Sequence, residues 1–140
     1  MLDYTSATWK YIKFFFFLLM TIAGAVHLFF PGKYVSFVPE FLPFILPIIY
    51  VSGVIEIALG VLLLFKKTSA SAATGIFILM LIFLPLHVFD LFRDKPAIGN
   101  HTIAVLRLLL QFVLIWLAWG VRQNIKLKHL LNDETLTKFK

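Results

Sequence analysis

Residues 44–65, FILPIIYVSGVIEIALGVLLLF, carry a single charged side chain, Glu56, in an otherwise apolar run. An α-helix rises about 1.5 Å per residue, so about 20 residues cross a hydrocarbon core about 30 Å thick. The run is long enough to span a bilayer, and three others match it: about 12–30, 70–92 and 102–121. The predicted fold is therefore an all-α integral membrane protein, a bundle of four transmembrane helices in one domain covering 1–140, with a basic cytoplasmic tail at 122–140. The whole chain agrees. Of its 140 residues 61% are hydrophobic and 14% charged, and 16 are Phe. A soluble domain of that size has no core large enough to hide so much apolar surface, and a disordered chain is far more polar.

Two exclusions follow from single residue types. There is no cysteine, which removes disulfides, thiolate chemistry, Cys-ligated zinc and iron–sulfur clusters. The net charge is +6, but no nucleic-acid motif and no Gly-rich phosphate loop accompanies it. On a membrane chain such charge reads first as orientation and attraction to anionic lipid. With the N-terminus inside, the inner segments hold nine basic residues: Lys10, Lys13, Lys66, Lys67, Arg122, Lys126, Lys128, Lys138 and Lys140. The outer loops hold three, Lys33, Arg93 and Lys95, and Arg107 falls within the last span. Both termini are thus expected in the cytoplasm, as for a multi-pass protein of a bacterial inner membrane. The first run follows Lys10 and Lys13 and contains Ala23-Gly24-Ala25, which imitates a signal-peptidase site. It continues to Phe30, too far for a signal-peptide core, and is read as a retained helix.

The connection from Pro31 to Pro47 carries four prolines and the aromatics Tyr34, Phe37, Phe41 and Phe44. Its prolines break regular helix. It reads either as an interfacial aromatic belt or as a cap over the bundle. Trp9, Trp116 and Trp119 read as anchors at the inner interface. The tail after Val121 either prolongs the fourth helix or lies on the inner surface.

Ionisable groups inside a span are costly, and each is a functional candidate. His27, Glu56, His87, Asp90, Arg107 and Gln111 come from all four runs, yet all map to the outer half. His87 and Asp90 share a helix face, as do Arg107 and Gln111. Gly53, Glu56 and Gly60 follow an i, i+3, i+7 pattern, which predicts close approach of a neighbouring helix. Pro85 is expected to kink the third helix beside the cluster. Depth arithmetic makes a Glu56–Arg107 pair plausible, with Gln111 bracing Arg107, Asp90 pairing with Arg93 at the surface, and His27 bonded to a carbonyl freed before Pro31. Such a pair is either a structural lock or part of a ligand site. No HxxxH or ExxH spacing supports a metal, and Arg107 would repel one. A neutral, oxygen-bearing, lipid-like ligand suits the charge balance best, held in apolar walls by Arg, His and Gln donors.

Several of these elements resemble the DoxX-like membrane proteins. They are Gly24-Ala25-Val26-His27 with Phe30-Pro31, then Tyr34, Val38-Pro39 and Leu42-Pro43. Tyr50-Val51-Ser52-Gly53-Val54-Ile55-Glu56 follows, with Gly60, Leu62 and Leu63, and then Arg107-Leu108-Leu109-Leu110-Gln111. The resemblance spans roughly 14–120. It departs at His87, where family members often have Asn, so no family role is carried to that residue. The resemblance implies a four-helix bundle and several occupations: a subunit of thiosulfate:quinone oxidoreductase, a member of redox-stress membrane complexes, or, as in the related nicotinic receptor chaperones, an assembly factor. Fold does not choose among them. The first expectation is a non-enzymatic accessory or chaperone-like protein with a membrane-protein partner or a homo-oligomer. The alternative is a quinone-binding oxidoreductase subunit, with quinone its one candidate cofactor and His87 and Asp90 a proton path. A transporter ranks third, since the sequence shows no inverted repeat.

Overall fold

The computed structural model describes residues 7–138, and side-chain surroundings through residue 132. Four helices form the bundle: α1 (Thr8–Phe29), α2 (Ile45–Leu64), α3 (Ser69–Leu91) and α4 (His101–Lys138). All four are long and apolar enough to cross a membrane. Large side chains such as Phe14, Ile22, Val54, Ile82, Leu106 and Phe112 stand exposed along them. In water that surface would be untenable; in a bilayer it meets acyl chains. The helices alternate in direction. One end of the bundle carries the 30–44 connection, the C-terminus of α3 and the start of α4. The other carries the start of α1, the tight α2–α3 turn and the far part of α4.

The tightest seam joins α1 to α2. Buried positions on α2 are Ile49, Gly53, Glu56, Gly60 and Leu63, alternating steps of four and three that keep one stripe against its neighbour. A methyl group on Gly24 would fall against the carbonyl oxygen of Gly53, and one on Gly53 would come 2.7 Å from His27 Cβ. Backbone lies on backbone here, so neither glycine has room for a side chain. The second close pairing is α3 with α4.

The apolar core occupies the terminal half of the bundle. It is built from Trp9, Phe16 and Met20 of α1, Leu63 of α2, Ala72, Ala73, Ile76, Leu79 and Met80 of α3, and Ala118, Val121 and Ile125 of α4. This corrects the reading of Trp9 as an interface anchor. Trp9 is buried, and its ring lies over Gly120, where any side chain would collide with it. Trp116 and Trp119 are exposed.

The 30–44 connection forms two 3₁₀ turns, Pro31–Lys33 and Val35–Phe37, packed across the ends of α1, α2 and α3. Phe44 then takes a left-handed conformation, φ 61° and ψ 46°, directly before α2, at a cost of about 1–2 kcal/mol for a residue with a Cβ. Pro47 does not break α2: it lies in the first turn, where its missing N–H has no intrahelical partner to lose. Pro85 lies within α3, which runs on to Leu91. α4 continues through the basic tail to Lys138, about 57 Å at helical rise.

Gly24→Ala is expected to destabilise the bundle by about 1–3 kcal/mol, because backbone cannot yield to the added methyl. Gly32→Ala, in open space, should change stability by less than about 0.5 kcal/mol. Unfolding of both variants in detergent tests the seam.

Candidate functional site

The six polar residues singled out above do not form one cluster. They divide by helix pair. On the α1–α2 seam, His27 Nδ1 stands 3.1 Å from Glu56 Oε1. The contact is close, but its angles are not those of a hydrogen bond, and both atoms are buried without a hydrogen-bond partner. Glu56 is 1% exposed. The Gly24–Gly53 approach puts them there: it brings the two backbones together one turn below His27 and one turn above Glu56. His27 therefore faces Glu56 and not a carbonyl ahead of Pro31. Its ring also packs on Tyr34, with centroids 3.8 Å apart.

On the α3–α4 pair, Arg107 Nη1 donates to Asp90 Oδ2 at 2.8 Å, and Ala97 N donates to Asp90 Oδ1 at 2.7 Å. Arg107 thus pairs with Asp90, where depth arithmetic favoured Glu56, and Asp90 is buried away from Arg93. Arg93 instead donates to the Ser36 carbonyl and lies 3.8 Å from exposed Glu40, an exposed ion pair worth little. Arg107 Nη2 lies 3.2 Å from His87 Nδ1. A guanidinium has no acceptor, so Nδ1 accepts and the neutral ring carries its proton on Nε2. The face of the guanidinium rests on Phe37, 4.1 Å from the ring centroid, a cation–π contact strengthened by partial burial. Gln111 does not brace Arg107. Its amide donates to the Met80 carbonyl at 2.6 Å, binding α4 to α3 deeper in the bundle.

Between the two helix pairs lies a cavity of about 280 Å³. His27, Tyr34, Phe37, Ser52, His87 and Arg107 supply its polar and aromatic lining, and Val38, Ile48, Ile49, Phe83 and Leu86 its apolar walls. Glu56, Asp90 and Gln111 are not in contact with it. They stand behind, each touching a residue or helix that lines it. Burial, and after it the negative charge of Glu56, push the Tyr34 hydroxyl above its ordinary pKa, so it stays a donor throughout the physiological range.

Tyr34, Phe37 and Ser52 are the lining residues that reading the polar positions missed. Their signal was present. An aromatic, proline-rich loop that leaves the helix carrying His27 can bury its rings by folding back over that helix end.

Arg107 supplies the donors and Asp90 the countercharge, so they should couple strongly. A double-mutant cycle with Asp90→Asn and Arg107→Gln is expected to give at least about 1 kcal/mol. The cycle pairing Glu56→Gln with Arg107→Gln should give less than about 0.5 kcal/mol. A strong Glu56–Arg107 coupling would contradict the observed pairing.

A family model described as a domain of unknown function, DUF8561, matches residues 16–122. That segment runs from within α1 to the middle of α4 and includes the whole cavity. Among curated proteins and among solved structures nothing matches the chain.

Proposed function

We propose, for a chain that belongs to the DUF8561 family, that it is a small membrane accessory protein whose loop-end pocket binds a neutral, lipid-like molecule bearing oxygen acceptors. The observation that carries this reading is the cavity itself: about 280 Å³ of largely apolar space with its donors gathered on two helix pairs. Arg107 is neutralised by Asp90 and His87 is neutral, so the pocket favours an uncharged headgroup over a bare anion. Apolar walls suit a chain or ring system. Tyr34 and Arg107 are fixed donors. Orientation with both termini cytoplasmic is part of the same reading and rests on nine basic residues against three. The accessory role, with a membrane-protein partner or a second copy, draws support from the small size of the bundle. It also draws on the absence, among the described lining residues, of any nucleophile paired with a base.

One observation favours a second reading, quinone binding within an oxidoreductase. His27 on one helix pair and Arg107 with His87 on the other border the same space, an arrangement suited to a head with two carbonyls. The proton path through His87 and Asp90 is poorly served, since both Asp90 oxygens are already hydrogen-bonded. The likeness to DoxX-like proteins belongs with these proposals. Ser52-Gly53 with Glu56, and Arg107 with Gln111, lie at or just behind the pocket.

Mass spectrometry of the protein released gently from its membrane is expected to show a bound neutral molecule of a few hundred daltons. Leu86→Trp, which fills the cavity and leaves Asp90–Arg107 intact, should reduce occupancy at least about tenfold. Redox-active quinone in the released fraction would select the second reading. Equal occupancy in the filled variant would place the ligand elsewhere and end both.

A further inference from the structure

At the opposite end of the bundle, three separate parts of the chain bring basic side chains to one hollow. Lys10 and Lys13 come from the first turns of α1, Lys66 from the α2–α3 turn, and Lys128 and His129 from the far part of α4. They surround a cavity of about 270 Å³ whose remaining lining includes Ser69, Asn124, Ile125 and Asn132. Among the described residues that line it, none is acidic. Ser69 and Asn124 are buried and give the hollow a polar floor. Ser69 is also the first residue of α3, a helix of 23 residues, so the positive end of that helix dipole meets the same space. Lys13 is half-buried and near enough to Lys128 for the two charges to repel each other. Like charges gathered around a polar floor are unfavourable until an anion joins them.

We infer that this hollow is a binding site for a phosphoryl group. Four ammonium groups match an oxyanion that offers several acceptor oxygens. The hollow shares no lining residue with the loop-end pocket, and the inference does not depend on what that pocket holds.

Its depth suits a phosphate that sits at a membrane surface. Arg107 and Lys128 are 21 residues apart on the single helix α4, about 32 Å at helical rise, close to the thickness of a hydrocarbon core. With the Asp90–Arg107 pair near one boundary, the lysines reach the other, at the level of lipid headgroups. The phosphoryl group belongs either to an anionic phospholipid or to a soluble phosphate ester, and both meet the same chemistry.

The test uses the full chain in neutral detergent. Thermal unfolding and native mass spectrometry are recorded with dioleoylphosphatidylglycerol, with the zwitterionic dioleoylphosphatidylcholine, and with sodium pyrophosphate. Phosphatidylglycerol is expected to bind and raise the unfolding temperature, with little effect from phosphatidylcholine. Lys13→Gln with Lys128→Gln should weaken that binding at least about tenfold. It should also raise the unfolding temperature of the anion-free protein, because repulsion is relieved. Lys67→Gln with Lys126→Gln removes the same charge at the same end but outside the hollow, and should weaken binding less than about twofold. If the double variant does not fold, the exposed Lys128→Gln alone should show a loss of about threefold or more. Pyrophosphate bound in place of lipid, with the same dependence on Lys13 and Lys128, would sustain the site and assign it a soluble ligand. Binding of neither anion, or equal losses in the two double variants, would overturn it.

Discussion

Asp90 is a carboxylate with about 1% of its surface exposed, shielded by the protein from the water that would solvate it. Such a group is tolerable only when protein supplies what water would. Here Arg107 supplies a countercharge and Ala97 a backbone N–H. One donor comes from within the α3–α4 connection and the other from the second turn of α4. The carboxylate therefore fixes how that connection turns, where α4 begins, and the rotation of α4 about its axis. Arg107, once held, reaches His87 and lies on Phe37, which positions the 30–44 connection in turn. Removing either partner would leave a buried charge alone, a loss of about 3–5 kcal/mol. The loop end of the bundle hangs on this contact as the terminal half hangs on its apolar core.

The α1–α2 seam obeys a different constraint. Lipid offers helices no hydrophobic reason to associate, so close packing must come from small residues. Gly24 and Gly53 provide it, and His27 and Glu56 are carried into contact as a result. Their buried atoms gain proximity without a formed hydrogen bond. That marks the seam as the less satisfied of the two polar groupings and the one nearer to Tyr34.

Much of this was legible in the sequence. Apolar run length fixed the number of spans, because nothing else in a bilayer tolerates twenty unbroken apolar residues. The polar positions were equally plain. Their partners were not. Depth along a helix can be counted, but rotation and neighbourhood cannot. Counting puts Glu56 within reach of the long Arg107 side chain, whereas α4 packs chiefly on α3, joined to it by a short connection, so Asp90 is the nearer carboxylate. Trp9 shows the same limit. An aromatic at the start of a span usually marks an interface, and only the opposing Gly120, more than a hundred residues away, makes a socket for it. The continuation of α4 was left open because its tail is both amphipathic and basic, a pattern shared by a straight helix and a surface-bound one. The basic hollow is not legible in the sequence, because its lysines are scattered along the chain and meet only where the start of α1, the α2–α3 turn and the far part of α4 converge.

The loop end of the bundle is hollow between its helix pairs, while the main apolar core lies nearer the termini. Packed interiors resist compression, while a cavity of about 280 Å³ is volume that can be squeezed out or filled. Lateral pressure in the leaflet around the loop end does work against that space, which a molecule bound as proposed would prop open. On that reading, occupancy of the pocket would depend on the tension and composition of the surrounding lipid, with the apolar core as the frame against which the loop end yields.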